Sequence, residues 1–201
     1  MDTAVSVAEV RQRTRAAQHA ASFPLLVLGV LFINYGTVGF TDQPVSWRYA
    51  GALAFVVMWV LAKVNEYATG VGPSRGADYL AAACLVFVLT QLTYLNRVVL
   101  AQWAKGYRLE GIWVAIVGLG LLGVALAARA PTLVGWAVVV CGAGAAQFFL
   151  GYQLWTTNSY VAFLPVPNQQ FGLPQPYLVI GLGVVLTIAG LFTFARERRH
   201  L

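Results

Sequence analysis

The 201-residue chain is poor in everything from which a water-facing surface or a catalytic centre is built. Charged residues make up 10% of it, where a soluble domain carries about 25%. From Ala130 to Ala195 there is no Asp, Glu, Lys, Arg or His at all, which excludes a proton relay or a charged ion site from the last third of the chain. The two cysteines, Cys84 and Cys141, lie in apolar segments with no CxxC partner and no nearby His. Metal and redox roles therefore have no support, and both cysteines read as small packing residues. His19 and His200 stand singly at opposite ends, so no pair of axial ligands sits within an apolar segment to hold a haem. Neither HExxH, GxSxG, a Walker loop nor a kinase signature occurs. No cofactor and no metal are expected.

What the chain does have is apolar length. Hydrophobic residues make up 59%, with a mean hydropathy of +0.71, and they come in long runs, which makes lipid the expected solvent. Six runs span 23–40, 47–62, 79–95, 111–128, 132–152 and 177–195. The expected fold is an all-α integral membrane protein: one polytopic domain over 1–201, a bundle of six transmembrane helices. About 22 residues precede the first run and nothing resembling A-x-A follows it, so it reads as a retained anchor.

Basic residues set the expected direction. With the N-terminus inside, Arg11, Arg13, Arg15, Lys63, Arg75, Arg129, Arg196, Arg198 and Arg199 are cytoplasmic, and Arg48, Arg97, Lys105 and Arg108 lie outside. The excess places both termini in the cytoplasm. The net charge of +6 is then accounted for by topology and anionic lipid headgroups, and no nucleic-acid partner is expected. The basic N-terminal tail, 1–22, reads as a surface helix on the inner leaflet, and the basic C-terminus, 196–201, lies on the same side. Three outer charges cluster in "NRVVLAQWAKGYRLEG", where Arg97, Lys105 and Arg108 share one sector of a helical wheel. That pattern suits a short interfacial helix contacting anionic lipid or another anionic ligand. Lys63 and Glu66, three apart, are spaced for an ion pair on one helix face.

Small residues are the expected glue, since lipid is as apolar as Leu. Ala137, Cys141 and Ala145 form a stripe with Gly142 and Ala146 beside it, and Gly123 and Ala127 repeat the spacing. "GLG" recurs at 118–120 and 181–183, as an internal repeat would leave it. Polar residues within the spans are where a ligand site is sought: Asn34 and Tyr35, then Thr90, Gln91 and Thr93, then Gln147. All fall in the outer halves of their spans, where they would form a small uncharged polar cluster.

Between the last two spans runs a long neutral extracytoplasmic loop, 153–176, with Trp155, Tyr160, Phe163 and four prolines. It exceeds the 2–8 residues usual between bundled helices, and its prolines forbid a continuous helix. An interfacial cap, a lid over a ligand cavity and a partner surface all fit. Asn34, Tyr35, Gln91, Gln147, Trp155, Tyr160 and Phe163 are accordingly the candidate ligand residues.

The "TGVG" at 69–72 and the preference for Arg over Lys resemble small multi-pass proteins of high-GC bacteria, which implies a bacterial plasma membrane and no particular activity. The leading expectation is a non-enzymatic integral membrane protein: an accessory or assembly subunit, or a binder of a lipid or apolar molecule. Its partners are the bilayer and anionic lipids, with another membrane protein or self-association also open. A small transporter or channel for an uncharged solute is the alternative. A membrane enzyme with a cytoplasmic-face site at His19, Glu66 or Asp78 comes third. The topology is checked by Ser159→Cys in a chain whose own cysteines are replaced by Ala. An impermeant thiol reagent should label it from outside, and labelling only from the cytoplasm would invert the orientation.

Overall fold

The computed structural model describes residues 22–38, 47–69, 76–96, 109–156 and 174–199. The 1–21 tail, the 97–108 stretch with Arg97, Lys105 and Arg108, and the 157–173 loop with Tyr160 and Phe163 lie outside the described residues. So does the side chain of Trp155.

Six helices account for nearly all of what is described: α1 (Ser22–Val38), α2 (Trp47–Thr69), α3 (Gly76–Leu95), α4 (Leu109–Ala127), α5 (Pro131–Thr156) and α6 (Pro174–Arg199). Three of them, α3, α5 and α6, contain stretches long and apolar enough to cross a membrane: Gly76–Leu95, Pro131–Phe148 and Val179–Arg196. The others carry shorter apolar stretches, Ser22–Gly36, Tyr49–Val64 and Gly111–Ala127. Large apolar side chains face outward on every helix. Val30, Leu53, Val88, Leu126, Val138 and Phe192 are each more than half exposed. Helices that are apolar on all sides, with an exterior as apolar as this, belong to a membrane protein.

α2 to α5 pack chiefly on their neighbours in sequence, while α1 and α6 pack chiefly on each other. The two closest seams are α1–α6 and α4–α5, and both rest on glycine. A Cβ on Gly183 would lie 2.7 Å from the Ile33 amide nitrogen and 2.8 Å from the Gly29 carbonyl. One on Gly29 would collide with the Thr187 hydroxyl and with backbone. Across α4–α5, a Cβ on Gly144 would lie 2.5 Å from the Ala115 nitrogen and 2.7 Å from the Gly111 carbonyl, and Gly118 is filled by Cys141. The Cys141 thiol donates to the Ala115 carbonyl at 3.7 Å.

The same contacts fix helix direction. Leu26 meets Gly190 while Ile33 meets Gly183, so α1 and α6 are antiparallel. Gly111 meets Phe148 while Gly118 meets Cys141, so α4 and α5 are antiparallel as well. Gly51 meets Val117 and Phe55 meets Gly120, so α2 and α4 run parallel. Val86 of α3 stands level with Gly51. Were α3 parallel to α2, the 70–75 link would have to bridge about 40 Å, beyond the ~25 Å that its Cα steps can reach. It therefore runs antiparallel. One end of the bundle thus gathers the C-terminal ends of α1, α3 and α5 with the N-terminal ends of α2, α4 and α6. One buried cluster drawn from all six helices, including Phe32, Phe55, Val86, Leu121, Leu133 and Leu186, fills the interior.

The expected small-residue stripe is only partly the seam. Ala137 is buried and Cys141 half-buried, but Gly142 and Ala145 are exposed, and Gly144 takes the contact instead. A spacing of four advances about 40° beyond a full turn at each step, so a strict every-fourth pattern walks off the interface. Gly123 and Ala127 are exposed too. The two "GLG" triplets are used differently: Gly118 and Gly120 are both packed, whereas Gly181 faces open space beside the packed Gly183.

The expected Lys63–Glu66 pair forms at 2.8 Å. Between α4 and α5, Arg129 adopts a left-handed conformation, φ 50°. Its N–H donates to the Leu126 carbonyl and that of Ala130 to Ala125, each at 3.0 Å, which is a Schellman stop with Arg where Gly is usual. Pro131 then opens α5, at the position where a missing N–H costs nothing.

Two outcomes are expected in thermal unfolding in detergent. Gly144→Val should sharply lower the midpoint by forcing α4 and α5 apart, while Gly142→Ala, which meets nothing within 4 Å, should raise it slightly through helix propensity. Separately, Arg129→Gly should stabilise by about 1 kcal/mol by relieving the left-handed backbone.

Candidate functional site

Several polar side chains within the described helices satisfy themselves on their own backbone. The Asn34 amide donates to the Val30 carbonyl at 3.0 Å, Thr93 to Leu89 at 2.8 Å, Thr187 to Gly183 at 2.8 Å and Thr193 to Ala189 at 2.7 Å. A hydroxyl or amide bonded to the preceding turn is a common way to carry polarity inside an apolar helix. Asn34 does so from an exposed position.

Three polar side chains do otherwise. Thr90, Trp113 and Gln147 are 7%, 9% and 3% exposed, and Thr90 Oγ1, Trp113 Nε1 and Gln147 Nε2 have no hydrogen-bond partner among the described residues. Each orphaned group costs about 1–3 kcal/mol, and a buried Trp N–H usually finds an acceptor.

These groups come from three helices but share one level. Val86, Val117 and Trp113 all meet at Gly51. Thr90 is one turn beyond Val86 along α3, and Trp113 one turn from Val117 along α4, both toward the same end of the bundle. On α5, Gly144 packs on Ala115 and Phe148 on Gly111, which brings Gln147 level with Trp113. α1 supplies the fourth side. Tyr35 stacks on Trp113 with ring centroids 4.5 Å apart and planes 28° apart, and Phe32 meets it edge-on at 6.0 Å and 87°. The indole is thereby clamped in one orientation with its N–H unused.

Of the sequence candidates, Tyr35 and Gln147 belong to this layer, and Gln91 is half-buried beside Thr90. Asn34 lies at the same end but is turned to its own helix. Sequence gives no reason to single out Trp113 beyond its place near a span end, in the aromatic belt. Only the stack with Tyr35 and the orphaned nitrogen mark it.

Below the layer the interior is closed by apolar contact. A Cβ on Gly120 would lie 2.5 Å from Val86 and 2.9 Å from the Phe55 ring. Lys63, Glu66, Asp78, Arg129 and Arg196 lie at the far end, whereas Arg48 and Glu110 fall in the first turns of α2 and α4, at the layer's own end. Among the described residues no group of three His, Cys, Asp or Glu could hold a metal. The layer thus presents two buried N–H donors and a hydroxyl, all without partners among the described residues, in an apolar frame. Comparison with family models, curated proteins and solved structures finds no match to this chain.

Proposed function

We propose that the chain is a non-enzymatic, six-span protein of a bacterial plasma membrane, with both termini in the cytoplasm, that binds a lipid or another apolar molecule. The observation that carries this reading is the layer of Thr90, Trp113 and Gln147, whose buried polar atoms lack partners at one end of an otherwise apolar interior. Polar groups are kept unsatisfied in a membrane interior at a cost that a bound molecule would offset.

The six spans are supported by helix length, since α2 and α4 have 23 and 19 residues and helices of this size cover roughly 30 Å. The orientation is supported by Lys63, Arg129 and Arg196 at the end opposite the layer, which positive-inside placement makes cytoplasmic. On that orientation the layer lies beneath the outer surface, on the side of the segment that joins α5 to α6; the expected 153–176 loop is shorter at both ends, since 153–156 and 174–176 are helical. Anionic headgroups are the proposed contacts of Arg97, Lys105 and Arg108. A channel is less well supported than a binder, because Val86, Phe55 and Val117 close the interior below the layer.

Native mass spectrometry of the protein gently extracted from its own membrane tests the reading. The expected result is a stoichiometric non-protein adduct that Gln147→Leu loses. A stoichiometric second polypeptide in its place would make the chain an accessory subunit, and no adduct of either kind would remove the basis for a binder.

A further inference from the structure

We infer that the bound molecule meets this layer with an uncharged carbonyl oxygen, accepted by the Trp113 indole N–H. The inference deepens the binder reading and rests on it. It starts from a chemical asymmetry: an indole nitrogen is a donor only, so whatever completes Trp113 must accept. The three orphaned groups are all neutral, so a neutral acceptor suits them: by themselves they would leave an anion's charge unbalanced, which is costly at membrane depth. A cationic ligand fails for the complementary reason, since the orphaned indole offers it no lone pair.

The geometry favours a single well-aimed acceptor. Tyr35 stacked on one face and Phe32 against the edge leave the indole no freedom to turn its N–H elsewhere, so the donor is pre-oriented and little ordering remains to be done on binding. Gln147 Nε2 adds a second donor at the same level, and the Thr90 hydroxyl can donate or accept, enough to hold the rest of a small uncharged head. A neutral glycerolipid ester and a quinone ketone share this chemistry, and both are drawn from the bilayer.

Delipidated, detergent-purified protein is titrated by native mass spectrometry with three probes: dioleoylglycerol, its di-O-alkyl ether analogue without carbonyls, and decylubiquinone. At least one carbonyl probe should bind, and if it is the glycerolipid, the ether analogue should bind at least tenfold more weakly. Binding of dioleoylglycerol alone assigns the carbonyl to an ester, and binding of decylubiquinone alone to a quinone. Trp113→Phe, which removes the N–H together with part of the ring system, should weaken the carbonyl probe about tenfold and leave the ether analogue nearly unchanged, because only the carbonyl uses the donor. Ligand-free Gln147→Leu, close to the parent in size but without the amide, should melt no lower than the parent, because it has lost an unsatisfied group.

Equal binding of ester and ether, or an unchanged affinity in Trp113→Phe, overturns the carbonyl and leaves the binder. A markedly lower melting point in Gln147→Leu means that the layer is already satisfied, for example by ordered water, and overturns the inference directly. Binding of no probe, together with no native adduct, overturns both.

Discussion

Close approach of backbone at two glycine seams is the constraint on which the rest of the structure depends. Among helices with apolar exteriors such as Val30, Val88 and Phe192, burying one more apolar side chain against another gains little over leaving it in lipid, so association has to come from packing and geometry. Gly29 with Gly183 on one side and Gly111 with Gly144 on the other bring α1 to α6 and α4 to α5 at backbone distance. Once those pairs are set, the antiparallel directions follow, and the large core side chains are clamped between them.

The polar layer is a consequence of the same seams. Gln147 is buried because it follows Gly144 by three residues on the face that meets α4, and the Gly111–Phe148 contact fixes its level. Trp113 is carried in by α4 from the adjacent turn and is pinned by Tyr35 and Phe32. Other polar groups in the helices, Asn34, Thr93, Thr187 and Thr193, bond back to their own turns and cost the bundle little. Thr90, Trp113 and Gln147 stand apart from them in spending stability without a visible return within the fold. Such locally unfavourable arrangements are expected where a binding site is kept ready.

Much of the architecture is legible from composition and periodicity. Runs without charge force helix, because only helix satisfies every backbone group within the segment, and the observed helices fall on the six expected runs. The i,i+3 spacing of Lys63 and Glu66 was enough to anticipate their ion pair, since that contact lies within one helix. The every-fourth stripe was a poorer guide. Which glycine faces a neighbour depends on helix rotation and on the partner's shape, and so Gly144 packs while Gly142, two residues away, meets nothing.

The sequence by itself determined an all-helical chain, the places where its helices run, an apolar exterior suited to lipid and the segregation of charge to segment ends. These follow from backbone hydrogen bonding and solvent preference, which act on each residue locally. Tertiary structure alone decided which polar residues lack a partner. Gln147 and Asn34 are equivalent amides in sequence, yet one is buried against α4 and the other reaches its own Val30 carbonyl. Trp113 became part of the layer only because α1 stacks Tyr35 against it. Satisfaction of a buried polar atom is a property of what surrounds it in space, and that is set by helix rotation and close approach rather than by the residue's own segment.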